Sequence, residues 1–301
     1  MQAAQKMLQE TGRFAENIGE LGRLIEHAQA PLLVMVMGEF STGKSTFINA
    51  LVGQEIAAVN ATPTTAVITE LAYGEKDQLR VHFKDGHTQV YAVDAFRDLT
   101  AETKQSHAEL HASIDFVERL LPVEVLKSLT IIDSPGINAL KPEHLAVTNR
   151  FITRADTVLW MFSAEKALSR TELDAMDKLS PRLQPIAIVN KMDSIDEEED
   201  DPAAFLQEIR RKLKDRVQAV IGISAELAFR GRQAKDEVMA AAGNLAAFDA
   251  VLREQVLPQR DSYKANSLLD ELSYWIDTLA EAIEEQEEKN KQLEKTDYET
   301  Y

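Results

Sequence analysis

Nine consecutive residues, Gly38-Glu39-Phe40-Ser41-Thr42-Gly43-Lys44-Ser45-Thr46, carry the residue types that hold a polyphosphate. Gly38 and Gly43 let the backbone approach closely, and the amides of Thr42 to Thr46 then point inward at the anion. Lys44 is placed to reach the β- and γ-phosphates, and the Ser45 hydroxyl suits Mg²⁺. Further along, Asn190-Lys191-Met192-Asp193 supplies base selection. The Asp193 carboxylate can accept two N–H bonds from guanine, an arrangement adenine does not offer. Asn190 buttresses that loop, and the Lys191 stem covers the base. At Ser224-Ala225 a backbone amide is placed to meet the guanine oxygen. Between the two groups lies Asp133-Ser134-Pro135-Gly136, where Asp133 can hold Mg²⁺ through water and the Gly136 amide can bond the γ-phosphate. A metal-binding hydroxyl is expected in Thr62-Pro63-Thr64-Thr65, with Thr65 favoured over Thr64.

These groups need rigid supports, and the sequence offers them in order. Leu32 to Met37 is an apolar run too short for a buried helix and suited to a buried parallel strand, with helical spacing after the loop. Strands are expected at Val67–Tyr73, Leu129–Ile132, Thr157–Ser163, Pro185–Val189 and Val220–Ile223. Asp85-Gly86 between Leu79–Phe83 and Thr88–Val93 signals a hairpin at a sheet edge. Helices are expected over 94–121, 171–179 and 203–217. His107 and His111 lie one turn apart in the first of these, but two ligands do not close a metal site, so they read as solvated. The acidic run Asp196 to Asp201 reads as a solvated loop that gives negative charge to the next helix N-terminus. Ile137 follows Gly136 where Ras-like proteins have the glutamine that positions water, so either another group places the water or hydrolysis is slow.

With 301 residues and 45% hydrophobic content, the chain can build a sizeable core. It has no cysteine, which excludes disulfides and thiolate metal sites and fits a reducing cytoplasm. A net charge of −17 disfavours nucleic acid and anionic bilayers as direct partners. No run approaches membrane-spanning length, and the N-terminus lacks a signal-peptide pattern.

The loop G-E-F-S-T-G-K-S-T, P-T-T-A-V, D-S-P-G, N-K-M-D and the terminal strand together resemble the GTPase domain of bacterial dynamin-like proteins, over residues 31–256. The resemblance implies an α/β P-loop GTPase fold with a mostly parallel central sheet flanked by helices. It also implies an α-helical neck built from residues 1–30 and 257–301. The flanks fit that neck: Met7, Thr11, Phe14, Ile18, Leu21, Ile25 and Ala28 form a heptad seam, and Leu268, Leu272, Trp275 and Leu279 form a matching one. Pro258 falls at the junction, where this family bends.

By the same resemblance the chain hydrolyses GTP to GDP with Mg²⁺, after two GTPase domains of like or related chains meet across the nucleotide. Ser41 would help stabilise the transition state and support a charge-compensating K⁺ or Na⁺, with Lys44, Ser45, Thr65 and Gly136 in their usual catalytic and metal roles. Phe40 departs from the polar residue of eukaryotic dynamins, although bacterial relatives also have an apolar one there. The implied setting is the cytoplasm, or peripherally the inner face of the membrane, with membrane remodelling through segments outside this chain and no nucleic-acid partner. The sequence is accordingly expected to be part of a longer protein, in preference to a short family member that does not remodel membrane alone. The competing expectation is a slow GTP-dependent switch that binds a protein or ribosomal partner without membrane work.

Overall fold

The computed structural model describes residues 24–56, 67–100, 110, 113–134, 150–183, 185–196, 198, 200–274, 276–277 and 280. In chain order the elements are β1 (Leu32–Gly38), α1 (Lys44–Val52), β2 (Thr69–Tyr73), β3 (Gln78–Phe83), β4 (Thr88–Tyr91), α2 (Phe96–Thr100), β5 (Ile114–Leu121) and β6 (Leu129–Asp133). They continue with β7 (Thr157–Ser163), α3 (Arg170–Met176), β8 (Ile186–Asn190), α4 (Pro202–Leu213), β9 (Ala219–Gly222), α5 (Ala225–Ala234), α6 (Glu237–Ala242) and α7 (Leu245–Val251).

All nine strands join one sheet, in the order β4-β3-β5-β2-β6-β1-β7-β8-β9. From β6 to β9 every neighbour is parallel, while β2 runs antiparallel to β6. Because both faces of the parallel half are covered by helices, its strands are continuous apolar runs, and β1, β6, β7 and β8 are buried from end to end. Alternate residues still divide between faces. Leu32, Val34 and Val36 of β1 pack with Phe47 of α1 and Phe248 of α7. Leu33, Met35 and Met37 pack instead with Phe151, Trp160 and Leu213. β1 has β6 on one side and β7 on the other, so connections leave it in both directions and a crevice opens at the strands' carboxyl ends.

The expected helix over 94–121 is corrected. Its start is helical through α2, but Ile114–Leu121 is β5, parallel to β2 on one side and antiparallel to β3 on the other. Ile114, Val117 and Leu121 are its buried residues, a spacing of three and four that mimics a helix. A register irregularity between His82 and Phe83 on β3 breaks strict alternation, and two-sided ladder pairing overrides the local pattern. The hairpin expected at the edge is β3–β4, with β4 outermost. His107 and His111 lie outside the described residues.

Pro258 does not sit in a loop. The chain runs from α7 through a π-helical turn (Leu252–Val256) and a 3₁₀ turn (Leu257–Gln259) directly into a helix over 260–274. Pro258 has no N–H to donate, and the hydrogen-bond register changes around it. The first turns of this helix rest on the sheet's body: Tyr263 is in the core, and Lys264 and Ser267 are buried. Trp275 and Leu279, and all of the N-terminal seam before residue 24, lie outside the described residues.

Candidate nucleotide site

The phosphate loop leaves β1 through backbone conformations that side chains resist. Gly38 has φ +150, and a Cβ there would lie 2.4 Å from the Met161 carbonyl oxygen of β7. Gly43, at φ +88, would bring a Cβ to 2.2 Å from Asn190 Nδ2. Ser41, at φ 66, takes the left-handed conformation despite its side chain, a local strain that a ligand-binding loop can sustain. Residues 42 to 46 then enter the first turn of α1, which has no acidic side chain of its own to occupy its N-terminal amides.

Lys44 is buried, and its Nζ donates to the carbonyls of Gly38 (3.0 Å) and Glu39 (2.9 Å). Burial pushes its ammonium down to about 8, against the opposing pull of Asp133. Asp133, at the end of β6, is buried too, which pushes its carboxyl up to about 6 although Lys44 favours the charged form. Two partly compensating charges thus sit in a dry crevice with spare capacity for ligand charge. Next to Asp133, Ser134 Oγ donates to the Val36 carbonyl at 2.7 Å and ties β6 to β1.

The base loop is joined to this crevice by one side chain. Asn190, buried at the end of β8, donates from Nδ2 to the Thr42 carbonyl (2.8 Å) and accepts at Oδ1 from the Ala225 amide (2.9 Å). Lys191 follows at φ 63, and its Nζ pairs with Glu165 at 2.6 Å. Asp193 stands exposed two residues on, and among the described residues none hydrogen-bonds its carboxylate. The Ser224 side chain caps α5 by accepting from Leu227 N at 3.3 Å. Of the two amides expected at the guanine oxygen, Ser224 or Ala225, that of Ala225 is already donated to Asn190 Oδ1.

Gly38 to Thr46, Asp133, Asn190, Lys191, Asp193, Ser224 and Ala225 thus converge at the carboxyl ends of β1, β6, β8 and β9. Thr65 and Gly136, with Thr64 and Ile137, lie outside the described residues. For a metal, the Asp133 carboxylate and the Ser45 hydroxyl form a hard oxygen donor set, and the poorly compensated burial of Asp133 fits a divalent cation such as Mg²⁺.

Comparison with known proteins follows the same outline. The model of the Dynamin family matches residues 34–193, more than half of the 301 residues. The chain belongs to the dynamin family. It is 25% identical over 243 residues to an uncharacterized protein in the xynA 3′ region of Caldicellulosiruptor sp., covering 79% of this chain and 60% of that one. Against the bacterial dynamin-like protein of Nostoc punctiforme it is 26% identical over 189 residues, covering 58% of this chain and 27% of that one. A solved structure of an oligomerised bacterial dynamin pair superposes with a TM-score of 0.62 at 19% identity, over 89% of this chain and 41% of that one. This dynamin-family chain therefore spans 60% or less of the length of each of these proteins.

Sequence reasoning missed a second polar centre, at the other end of β1. Asp156, immediately before β7, accepts from the Leu33 amide at 2.7 Å and pairs with Lys264 Nζ at 2.6 Å. It also accepts from Ser267 Oγ and lies 3.3 Å from His27 Nε2. His27 in turn bonds Glu271 at 2.9 Å. Arg260 Nη2 donates to the Ala28, Gln29 and Ala30 carbonyls, closing the helix over 24–29. No motif announces this cluster, because its members come from four separate stretches. The available signal was Lys264 and Ser267, three residues apart on one side of a helix.

Proposed function

We propose that this chain binds GTP and hydrolyses it to GDP and phosphate with Mg²⁺, and that two GTPase domains pair to do so. The observation that carries the reading is the buried Asn190, which starts the base loop and hydrogen-bonds it to the phosphate loop at Thr42 and to Ala225. On nucleotide arrival, the Lys44 ammonium exchanges the carbonyls of Gly38 and Glu39 for β- and γ-phosphate oxygens. The amides of residues 42 to 46 receive the remaining phosphate charge. Ser45, Asp133 and Thr65 would hold Mg²⁺, which would supply charge neutralisation at the phosphates. Asp193 receives the guanine N–H groups while the Lys191 stem lies along the base. Phe40, 38% exposed on the phosphate loop, gives the domain face an apolar contact for a second copy, with Ser41 beside it for the transition state and a monovalent cation.

Residues 24–30 and 257–274 form the root of a neck, supported by Arg260 and by the pairing of His27 with Glu271. Among the described residues no helix is long and apolar enough to cross a membrane. The similar bacterial pair is described as a mechanism for long-range sensing and tethering of membranes. We extend this to coupling of GTP turnover to membrane remodelling through the neck, from the cytoplasmic side.

The test is GTP turnover per molecule over a hundredfold range of protein concentration, with Mg²⁺ and K⁺. A rising specific rate is expected. A flat, slow rate would overturn the paired mechanism in favour of a switch awaiting an outside activator. For base choice, Asp193→Asn replaces two acceptors by one acceptor and one donor. GDP affinity is expected to fall about a hundredfold, since a donor now faces the guanine amine, while xanthosine diphosphate, with a carbonyl there, gains affinity. Equal GDP binding by calorimetry would remove Asp193 from the site.

A further inference from the structure

The segment between β7 and α3 touches both ends of the site. Its first residues form a 3₁₀ turn, Ala164–Lys166, in which Glu165 accepts from Ser163 Oγ (3.2 Å) and from Lys191 Nζ (2.6 Å). Its last residue, Ser169, donates from Oγ to Glu39 Oε1 of the phosphate loop at 2.8 Å. Between them Leu168 takes φ 63, a conformation that a leucine rarely adopts without being held. Ser169 is itself fixed: its Oγ accepts from the Glu172 amide (3.2 Å), its own amide donates to Glu172 Oε2 (2.9 Å), and Glu172 is buried. The two reaches are therefore anchored, one on the rigid start of α3 and one on the end of β7.

We infer that residues 164–169 are a strap that holds the phosphate loop and the base loop at a fixed separation, with Glu165 and Ser169 as its positioning residues. Glu165 acts through Lys191, keeping the lysine stem flat where the base lies, and Ser169 acts through Glu39, whose carbonyl receives Lys44. Neither touches the reacting atoms. The consequence is uniform binding: the strap preorganises the site for nucleotide in any state, so its loss changes affinity and KM but not kcat. This inference rests on the GTP-binding reading above.

The experiment compares wild type, Glu165→Ala, Ser169→Asp and the double variant, measuring GDP dissociation constants by calorimetry, KM and kcat for GTP, and melting temperature. Asp at 169 keeps a helix-capping acceptor for Glu172 N but sets a like charge against Glu39, so folding is retained. Each single variant is expected to bind GDP about three- to fivefold more weakly, with KM raised alike and kcat and melting temperature unchanged. Because cutting either end frees the same strap, the double variant should lose clearly less than the product of the single losses. Single variants that bind as wild type does, losses that multiply, or a fall in kcat with KM constant would each overturn the strap. Wild-type protein that fails to bind GDP would overturn the GTP-binding reading itself, and this inference with it.

Discussion

Lys44→Ala is expected to reduce GDP and GTP affinity by about a hundredfold or more, the scale of losing a charged donor to a phosphate in a dry site, about 3 kcal/mol. The free protein should nevertheless fold. A buried ammonium whose pKa is pushed down to about 8 contributes stability only above its unfolded value, and that contribution is lost as pH falls through about 8. At neutral pH the folded protein therefore carries Lys44 as a cost, which the alanine removes. Asp133 then loses its compensating charge and moves further above about 6, which returns part of that cost. The readout is thermal: GDP should raise the melting temperature of wild type and leave that of Lys44→Ala where it was. The wild-type affinity should also be flat between about pH 6 and 8, where Asp133 is charged and Lys44 protonated, and decline above about 8 as Lys44 loses the proton that phosphate requires. Tight GTP binding by the variant would place the phosphate site elsewhere.

How much of this could be read from the chain follows from what each feature is made of. The phosphate loop and the base loop are legible because their chemistry is local. Gly38 and Gly43 are required by a carbonyl and an amide lying where a Cβ would go, and Lys44 and Asn190 act within or next to the turns that carry them. The parallel strands are legible because burial on both faces leaves unbroken apolar runs. β5 was hidden, since its three buried residues have helical spacing and only pairing with β2 and β3 makes them a strand. Glu165 and Ser169 were hidden for a different reason. A carboxylate and a hydroxyl in a surface turn have no distinctive spacing, and their meaning lies in partners 26 and 130 residues away. Asp156 is hidden in the same way, joined to partners 123 and 111 residues away in Leu33 and Ser267.

Asp156→Ala is expected to destabilise the protein by about 3–5 kcal/mol, the range for removing one partner of a buried ion pair. Lys264, buried in the C-terminal helix, would keep its desolvation cost and lose the carboxylate that offsets it. The Leu33 amide and Ser267 hydroxyl would lose their acceptor as well. For a domain of this size that is a fall in melting temperature of about 6–20 °C. Asp156→Asn, which can still accept from the Leu33 amide, should fall between the two. The pH dependence has a definite sign. Burial favours a neutral His27, but its bonds to Asp156 and Glu271 outweigh that and raise its pKa above 6.5. Its stabilising contribution is therefore complete below about 6.5 and disappears as pH rises through the raised value. Burial likewise opposes the Asp156 charge, but His27, Lys264 and Ser267 hold its carboxyl below the usual range, so its contribution is lost only as pH falls through that depressed value. A melting temperature that falls as pH rises through the raised His27 value in wild type, with a shallower slope in Asp156→Ala, where Glu271 alone still holds the imidazolium, would locate the His27 effect in this cluster. Nucleotide affinity measured well below the melting temperature should not change. Asp156 bonds β1 at Leu33, the amino end of the strand, whereas the phosphate loop begins at Gly38 at its carboxyl end. A loss of GDP affinity in folded Asp156→Ala would instead mean that the root of the terminal helices and the nucleotide site are coupled through β1.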